Sequence, residues 1–162
     1  MFYLELFRVL GEHDVRYLLV GGVAMNLHGV PRMTMDVDLM LALGQENLSC
    51  FVRACGQLNL QPVLPVPLSD FLDSKKRADW FTERHMIAFA LRGNNHTTPT
   101  VDILINPGIS FDIAYARRLI RNVGDTQISL AHVSDLIELK SAANREQDQA
   151  DIAHLRKLSG NE

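Results

Sequence analysis

Hydrophobic positions recur along this chain with two periods, and their alternation predicts short strands mixed with helices. Phe2, Leu6, Val9 and Leu10 fall on one helical face, and Gly11 predicts the stop of that helix. Val15 to Val20 is a β-rich run that halts at Gly21-Gly22. A short helix over Val23 to His28 is expected behind it, punctuated by Gly29 and Pro31. Val37 to Ala42 reads as the next strand, and Gln45 to Leu58 as a helix with Leu48, Phe51, Val52 and Cys55 at helical spacing. Pro62, Pro65 and Pro67 make Gln61 to Leu68 an edge strand or a loop. Asp70 to Arg84 is charge-rich and predicted to be partly helical. Met86 to Leu91 and Val101 to Ile105 predict two strands joined by the polar loop Arg92 to Pro99. Phe111 to Ile120 reads as a helix and Gln127 to Leu130 as a short strand. Ser134 is read as the N-cap of a helix carrying Leu136, Ile137, Leu139, Ala142 and Ala143. Asn144, with Gln147 three residues on, marks the start of a closing helix, Arg145 to Leu158. The expected class is α/β (α+β): one domain over residues 1–162, a mixed sheet within about 15–130 flanked by helices, and a C-terminal helical pair at about 134–158.

Composition narrows the function without choosing it. Across 162 residues, 47% are hydrophobic and 22% charged, globular values that exclude a disordered chain, a coiled coil or a collagen-like repeat. A net charge of −3 argues against a sequence-independent nucleic-acid binder, which needs an excess of Lys and Arg, while leaving room for a local basic patch. Cys50 and Cys55 are too few for a disulfide framework and fit a reducing compartment. Glu5 and Arg8 interrupt the apolar N-terminal run. The uncharged stretch Tyr17 to Pro31 contains Gly21-Gly22 and is shorter than the ~20 residues a membrane span needs. The expectation is a soluble cytoplasmic protein with no membrane association.

Chemistry concentrates in three places. A strand ends in Gly21-Gly22 and feeds a helix; Asp36-Val37-Asp38 opens the next strand, preceded by Arg32 and Thr34; and Asp102 sits inside a later strand. Side chains repeat on one face of a strand every second residue, so Asp36 and Asp38 share a face about 7 Å apart. Carboxylates on one face of an apolar strand are costly unless something positive joins them. With Asp102 converging on the same point, the three would suit a hard divalent cation such as Mg²⁺, which takes oxygen ligands and substrate phosphates. The backbone N–H groups of Gly21 and Gly22 at a helix start suit phosphate oxygens. Taken singly, each feature also has a plainer reading as a tight turn, solvated turn chemistry or a water-facing strand residue; the order of all of them together favours a site.

Val20-Gly21-Gly22-Val23-Ala24, His28-Gly29 and Arg32-x-Thr34-x-Asp36-Val37-Asp38-Leu39 resemble the signature of the DNA polymerase β-type nucleotidyltransferase superfamily. Asp135-Leu136-Ile137 with Lys140, Ala143, Arg145, Asp148 and Asp151 resembles the Lys-x4-Arg-x2-Asp-x2-Asp pattern of its AbiEii-like branch, which includes toxins of type IV toxin–antitoxin systems. The resemblance implies the nucleotidyltransferase fold and transfer of a nucleoside monophosphate from an NTP to an acceptor hydroxyl. That acceptor would be RNA, particularly tRNA, or a protein. It implies Mg²⁺ or Mn²⁺ as cofactor and a cognate antitoxin as a partner. By the same resemblance Gly21 and Gly22 would hold the triphosphate, Asp36 and Asp38 the metals, and Asp102 would be the third carboxylate and activator of the acceptor. Arg32, Thr34, Lys140 and Arg145 would line the substrate side, with Lys140 on phosphate, and Asp148 would be the acid of the second closing helix. The chain has Gly-Gly where the superfamily often has Gly-Ser, which removes a hydroxyl and keeps the backbone donors. Two other readings use the same residues: a catalytically idle binding or regulatory partner, and a small-molecule (antibiotic) adenylyltransferase.

Other groups are weaker candidates. Lys75-Lys76-Arg77 reads as a solvated face, and Arg117, Arg118 and Arg121 as one helical face suited to an RNA backbone or to salt bridges. Trp80 and Phe81 read as core. His28 reads as a helix-end residue, and His13, His85, His96, His132 and His154 have no metal-ligand spacing.

Overall fold

The computed structural model describes residues 2–95, 97–143 and 145–160, so the expectations for His96 and for Asn144 as an N-cap lie outside the described residues. Helices α1 (Phe2–Glu12), α2 (Gly21–Leu27), α3 (Gln45–Leu58), α4 (Ser74–Arg84), α5 (Phe111–Ala116), α6 (Val133–Ala143) and α7 (Glu146–Gly160) surround strands β1 (Tyr17–Val20), β2 (Val37–Leu41), β3 (Gln61–Pro62), β4 (Ala88–Arg92), β5 (Val101–Leu104), β6 (Leu119–Val123) and β7 (Thr126–Leu130). A 3₁₀ turn, Leu68–Leu72, precedes α4. The strands form one mixed sheet in the order β3-β4-β5-β2-β1-β7-β6. The pairs β1/β2, β3/β4, β4/β5 and β6/β7 are antiparallel, and β2/β5 and β1/β7 are parallel. The fold is mixed α/β. Among the described residues no helix is long and apolar enough to cross a membrane.

Strand alternation gives the sheet two different faces. On one face Val37, Leu39, Val101, Ile103, Phe89 and Leu91 are all fully buried. Phe7 of α1 stacks on Tyr17, with ring centroids 5.7 Å apart. Phe71 of the 3₁₀ turn and Trp80 of α4 each stack on Phe89 at 5.0 Å. Trp80 is therefore core, as expected, while Phe81 is half-buried. Asn47 of α3 is buried and fully occupied: its amide oxygen accepts from the Arg16 N–H at 2.7 Å, and its amide nitrogen donates to the carbonyls of Arg16 and Ala42. The opposite face carries Leu18, Val20 and Met40 together with Asp38 and Asp102.

Most elements lie where the pattern places them, and α3 has the predicted bounds. The proline-rich segment supplies the edge strand β3. Helix α2 ends at His28 and Gly29. The Val30 N–H donates to the Met25 carbonyl at 2.9 Å and the Gly29 N–H to Asn26 at 3.0 Å, with Gly29 at φ +94°, which is a Schellman closure.

Five expectations are corrected. Gly11 does not stop α1: the helix continues through Glu12, and the left-handed residue is Asp14, at φ 55°. Nothing lies within 4 Å of a methyl group built on Gly11, so Gly11→Ala is expected to stabilise the protein by about 0.5–1 kcal/mol, read as a higher urea midpoint at unchanged slope. The helix predicted over Phe111 to Ile120 ends at Ala116, and Leu119–Val123 is the edge strand β6. It turns into β7 through Gly124-Asp125, with Gly124 at φ 61°, the two-residue hairpin geometry that favours glycine first. Arg117, Arg118 and Arg121 consequently share no helical face: Arg117 makes a two-pronged pair with Asp135, Arg118 lies over the Tyr115 ring, and Arg121 is in β6. Helix α6 starts at Val133, ahead of Ser134, whose N–H donates to His132 Nδ1 at 3.1 Å. Finally, Lys75-Lys76-Arg77 is only partly a solvated face, because Arg77 is buried and donates to the Phe71 carbonyl.

Candidate functional site

Each carboxylate reaches its place through strand register. Val20 pairs with Asp38 across β1/β2, and Asp38 pairs with Asp102 across β2/β5, so both carboxylates stand side by side on the half-open face. Asp36 precedes β2 by one residue and lies close enough to raise the pKa of both. Thr100 organises the group: its N–H donates to Asp36 Oδ1 at 3.3 Å, its hydroxyl to Asp102 Oδ1 at 3.4 Å, and its carbonyl accepts from the Val37 N–H.

The crowding has an electrostatic cost. Burial, then Asp102, then Asp36 push Asp38 up to about 7, against the weaker opposing pull of Lys140 and Arg32. Burial and Asp36 also raise Asp102, partly offset by hydrogen bonds from Thr100 and Asp38. The two carboxylates therefore resist being ionised together.

The two glycines explain how the chain gets this close. A methyl group on Gly21 would stand 2.0 Å from Asp38 Oδ2, and Gly21 has φ +72°. A methyl group on Gly22 would stand 2.8 Å from both Cβ and Oγ1 of Thr34, so Thr34 lies over Gly22. Helix α2 starts at Gly21 itself, two residues earlier than the pattern predicts.

On the other side is an ionic network built around the buried Lys140, Asp148 and Asp151. Lys140 Nζ donates to Asp151 Oδ2 at 3.0 Å and lies 3.7 Å from Asp148 Oδ1. Arg32 donates to that same Asp151 Oδ2, reaching it from the loop before β2. Arg145 grips Asp148 through Nε at 2.8 Å and through its backbone N–H at 3.0 Å. Burial works to raise Asp148, but the Arg145 hydrogen bonds and the charges of Arg145 and Lys140 outweigh it and hold it below the usual carboxylate range. Arg32, Lys140 and Arg145 therefore spend their ion pairs on Asp148 and Asp151, leaving one unit of positive charge in excess toward Asp38. Arg32 Nε is buried with no hydrogen-bond partner, a donor still open to a ligand.

No family model and no curated protein matches this sequence.

Asp36, Asp38 and Asp102 gather at the sheet, with Gly21 against Asp38 and Thr34 over Gly22, while Arg32, Lys140, Arg145 and Asp148 belong to the ionic network of the loop and closing helices. Among the described residues, no set of three His, Cys, Asp or Glu side chains is already arranged to hold a metal ion. The donor set nonetheless fits one: hard oxygen ligands on adjacent strands, repelling each other, with their nearest cations paired elsewhere. His28 is a helix-end residue as expected, its Nε2 bonded to the Ala131 carbonyl at 2.8 Å.

The hydrophobic pattern does not single out Thr100, since a threonine at a strand start is ordinary. Thr100→Val keeps the strand and the N–H to Asp36 but removes the hydroxyl that holds Asp102 down. The acid limb of any activity at this site should move to higher pH, with its rate roughly tenfold lower, about 1.4 kcal/mol. An unchanged pH profile would remove Thr100 from the site.

Proposed function

We propose that this protein is a metal-dependent nucleotidyltransferase of the polymerase β type, AbiEii-like, moving a nucleoside monophosphate from an NTP to an acceptor hydroxyl. The observation that carries the reading is Asp38 in register with Asp102, with Asp36 beside them, pressed against a glycine that admits no side chain. A bound Mg²⁺ or Mn²⁺ would neutralise charge on the triphosphate and lower the pKa of an oxygen nucleophile. Asp36 and Asp38 would hold it, with Asp102 as the third ligand. Asp102, raised by burial and by Asp36, is also suited to take the proton of the acceptor hydroxyl. The N–H groups of Gly21 and Gly22, the free Nε–H of Arg32 and the ammonium of Lys140 supply donors for phosphate oxygens, and Thr34 fixes the loop above Gly22.

The acceptor class that suits the branch resemblance is RNA, tRNA in particular, or a protein hydroxyl, in a toxin-like role with a cognate antitoxin. The free thiols Cys50 and Cys55 suit a reducing cytoplasm. The test incubates the protein with each labelled NTP, Mg²⁺, total RNA and lysate, and asks which fraction carries label. Label on RNA or protein that disappears in Asp36→Ala supports the reading. Failure of the folded protein to bind any NTP at millimolar concentration would sink it.

A further inference from the structure

Asp151 ties the two closing helices to a loop 119 residues away in the chain. Its Oδ2 accepts from Arg32, on the loop between α2 and β2, and from Lys140 on α6, while Asp151 itself sits on α7. A single carboxylate oxygen thus holds two cations side by side, in a place where Asp151 and Lys140 are both buried. Without the acid, the two cations would repel each other and nothing would hold them side by side. Asp148 does not duplicate this role, because its oxygens go chiefly to the Arg145 side chain and backbone, with Lys140 0.7 Å farther away than it is from Asp151. Arg32 also donates its backbone N–H to Asn26 Oδ1 at 3.0 Å, so the loop is pinned at both the main chain and the side chain.

From this we infer that Asp151 is a positioning residue, a two-cation clamp that sets Arg32 and Lys140 at the spacing needed to grip the phosphates of the nucleotide. The inference rests on the nucleotidyltransferase reading and deepens it, because it names an acid that touches neither nucleotide nor metal yet governs nucleotide binding. The clamp acts through orientation. Simple neutralisation predicts the opposite sign, since removing a negative charge beside two cations should tighten the hold on a triphosphate.

The experiment uses total RNA and lysate protein as the acceptor pool and measures KM and kcat for Mg·ATP, Mg·CTP, Mg·GTP and Mg·UTP in the wild type, Asp151→Asn, Arg32→Gln and the double variant, each checked by circular dichroism and melting. The clamp predicts that Asp151→Asn raises KM at least tenfold while kcat changes less than threefold. It also predicts that the double variant is no worse than Arg32→Gln by more than about twofold, because both changes break one link. Asp151→Ser gives the same reading if the asparagine variant does not fold. A KM that is unchanged or lower in the folded Asp151 variant, or effects that multiply in the double variant, would overturn the clamp alone. A folded wild type that neither binds nor turns over any of the four nucleotides would overturn the functional reading, and the clamp with it.

Discussion

Asp38→Asn is expected to make the metal-free protein more stable at pH 8 while abolishing nucleotidyl transfer. In the unfolded chain this carboxyl has the ordinary value of 3.8, and in the fold it rises to about 7. Between those values the folded protein holds a proton that the unfolded chain has released, so stability falls as pH rises through the window. Above about 7 both states are ionised and the penalty is full, of order 2–4 kcal/mol once residual solvent contact is allowed for. Asparagine carries no charge, so the variant should gain roughly that much at pH 8, and the gain should shrink as pH falls toward 4. On the proposed reading, transfer should fall by about two to three orders of magnitude or more, since asparagine removes one of the two carboxylates that would hold the metal on the triphosphate. Melting curves at pH 8 and pH 5.5, with and without Mg²⁺, check both halves: Mg²⁺ should raise the wild-type melting temperature more at pH 8 and leave the variant nearly unmoved. A variant that is less stable than wild type at pH 8 would show that Asp38 is held by attraction instead.

Gly21→Ala is expected to be among the most damaging single-methyl additions in the chain. Its left-handed backbone costs an L-residue about 1–2 kcal/mol, and a methyl 2.0 Å from Asp38 Oδ2 forces a rearrangement that typically costs another 1–3 kcal/mol. The nearest atoms also include Asp38 Cβ at 2.8 Å, so turning the carboxylate away relieves only part of the clash. Gly29→Ala supplies the comparison: it too has a left-handed backbone, φ +94°, but its methyl meets nothing within 4 Å, so it should lose only the backbone portion. Chemical denaturation of the two variants side by side isolates the close approach. Equal losses would mean that the carboxylate moves freely and that Gly21 serves the turn alone.

The acidic half of the site is legible in the sequence because strand alternation is a local property. Asp36 and Asp38 share a face by spacing alone, and Gly21-Gly22 marks the end of a strand whether or not its partner is known. The cationic half is only partly legible. Lys140 and Asp148 stand out by pattern, but Arg32 and Asp151 are 119 residues apart, and no periodicity carries that pairing. Arg145 and Asp148 are only three residues apart, but their pair joins an exposed guanidinium to a carboxylate whose burial no local spacing reveals. Phe111 to Ile120 misleads for a different reason. Its apolar spacing suits a helix throughout, but Arg117 takes a non-helical conformation at φ −107°, and Leu119–Val123 gains more by pairing with β7.

The sheet order also sets a timetable. The strands made first, β1 and β2, lie in the middle, and each waits for a neighbour made much later: β5 beside β2, β7 beside β1. Such a topology folds slowly, because distant pieces must meet before contacts reward the closure. As the chain leaves the ribosome, the three carboxylates can gather once β5 has emerged, whereas Lys140 and the acids of α7 are still unmade. For that interval the nascent chain has an acidic patch with no grip on phosphate. On the proposed reading, transfer would need α7 docked onto the loop of Arg32, so a chain that has β5 but has not yet made α7 would be silent.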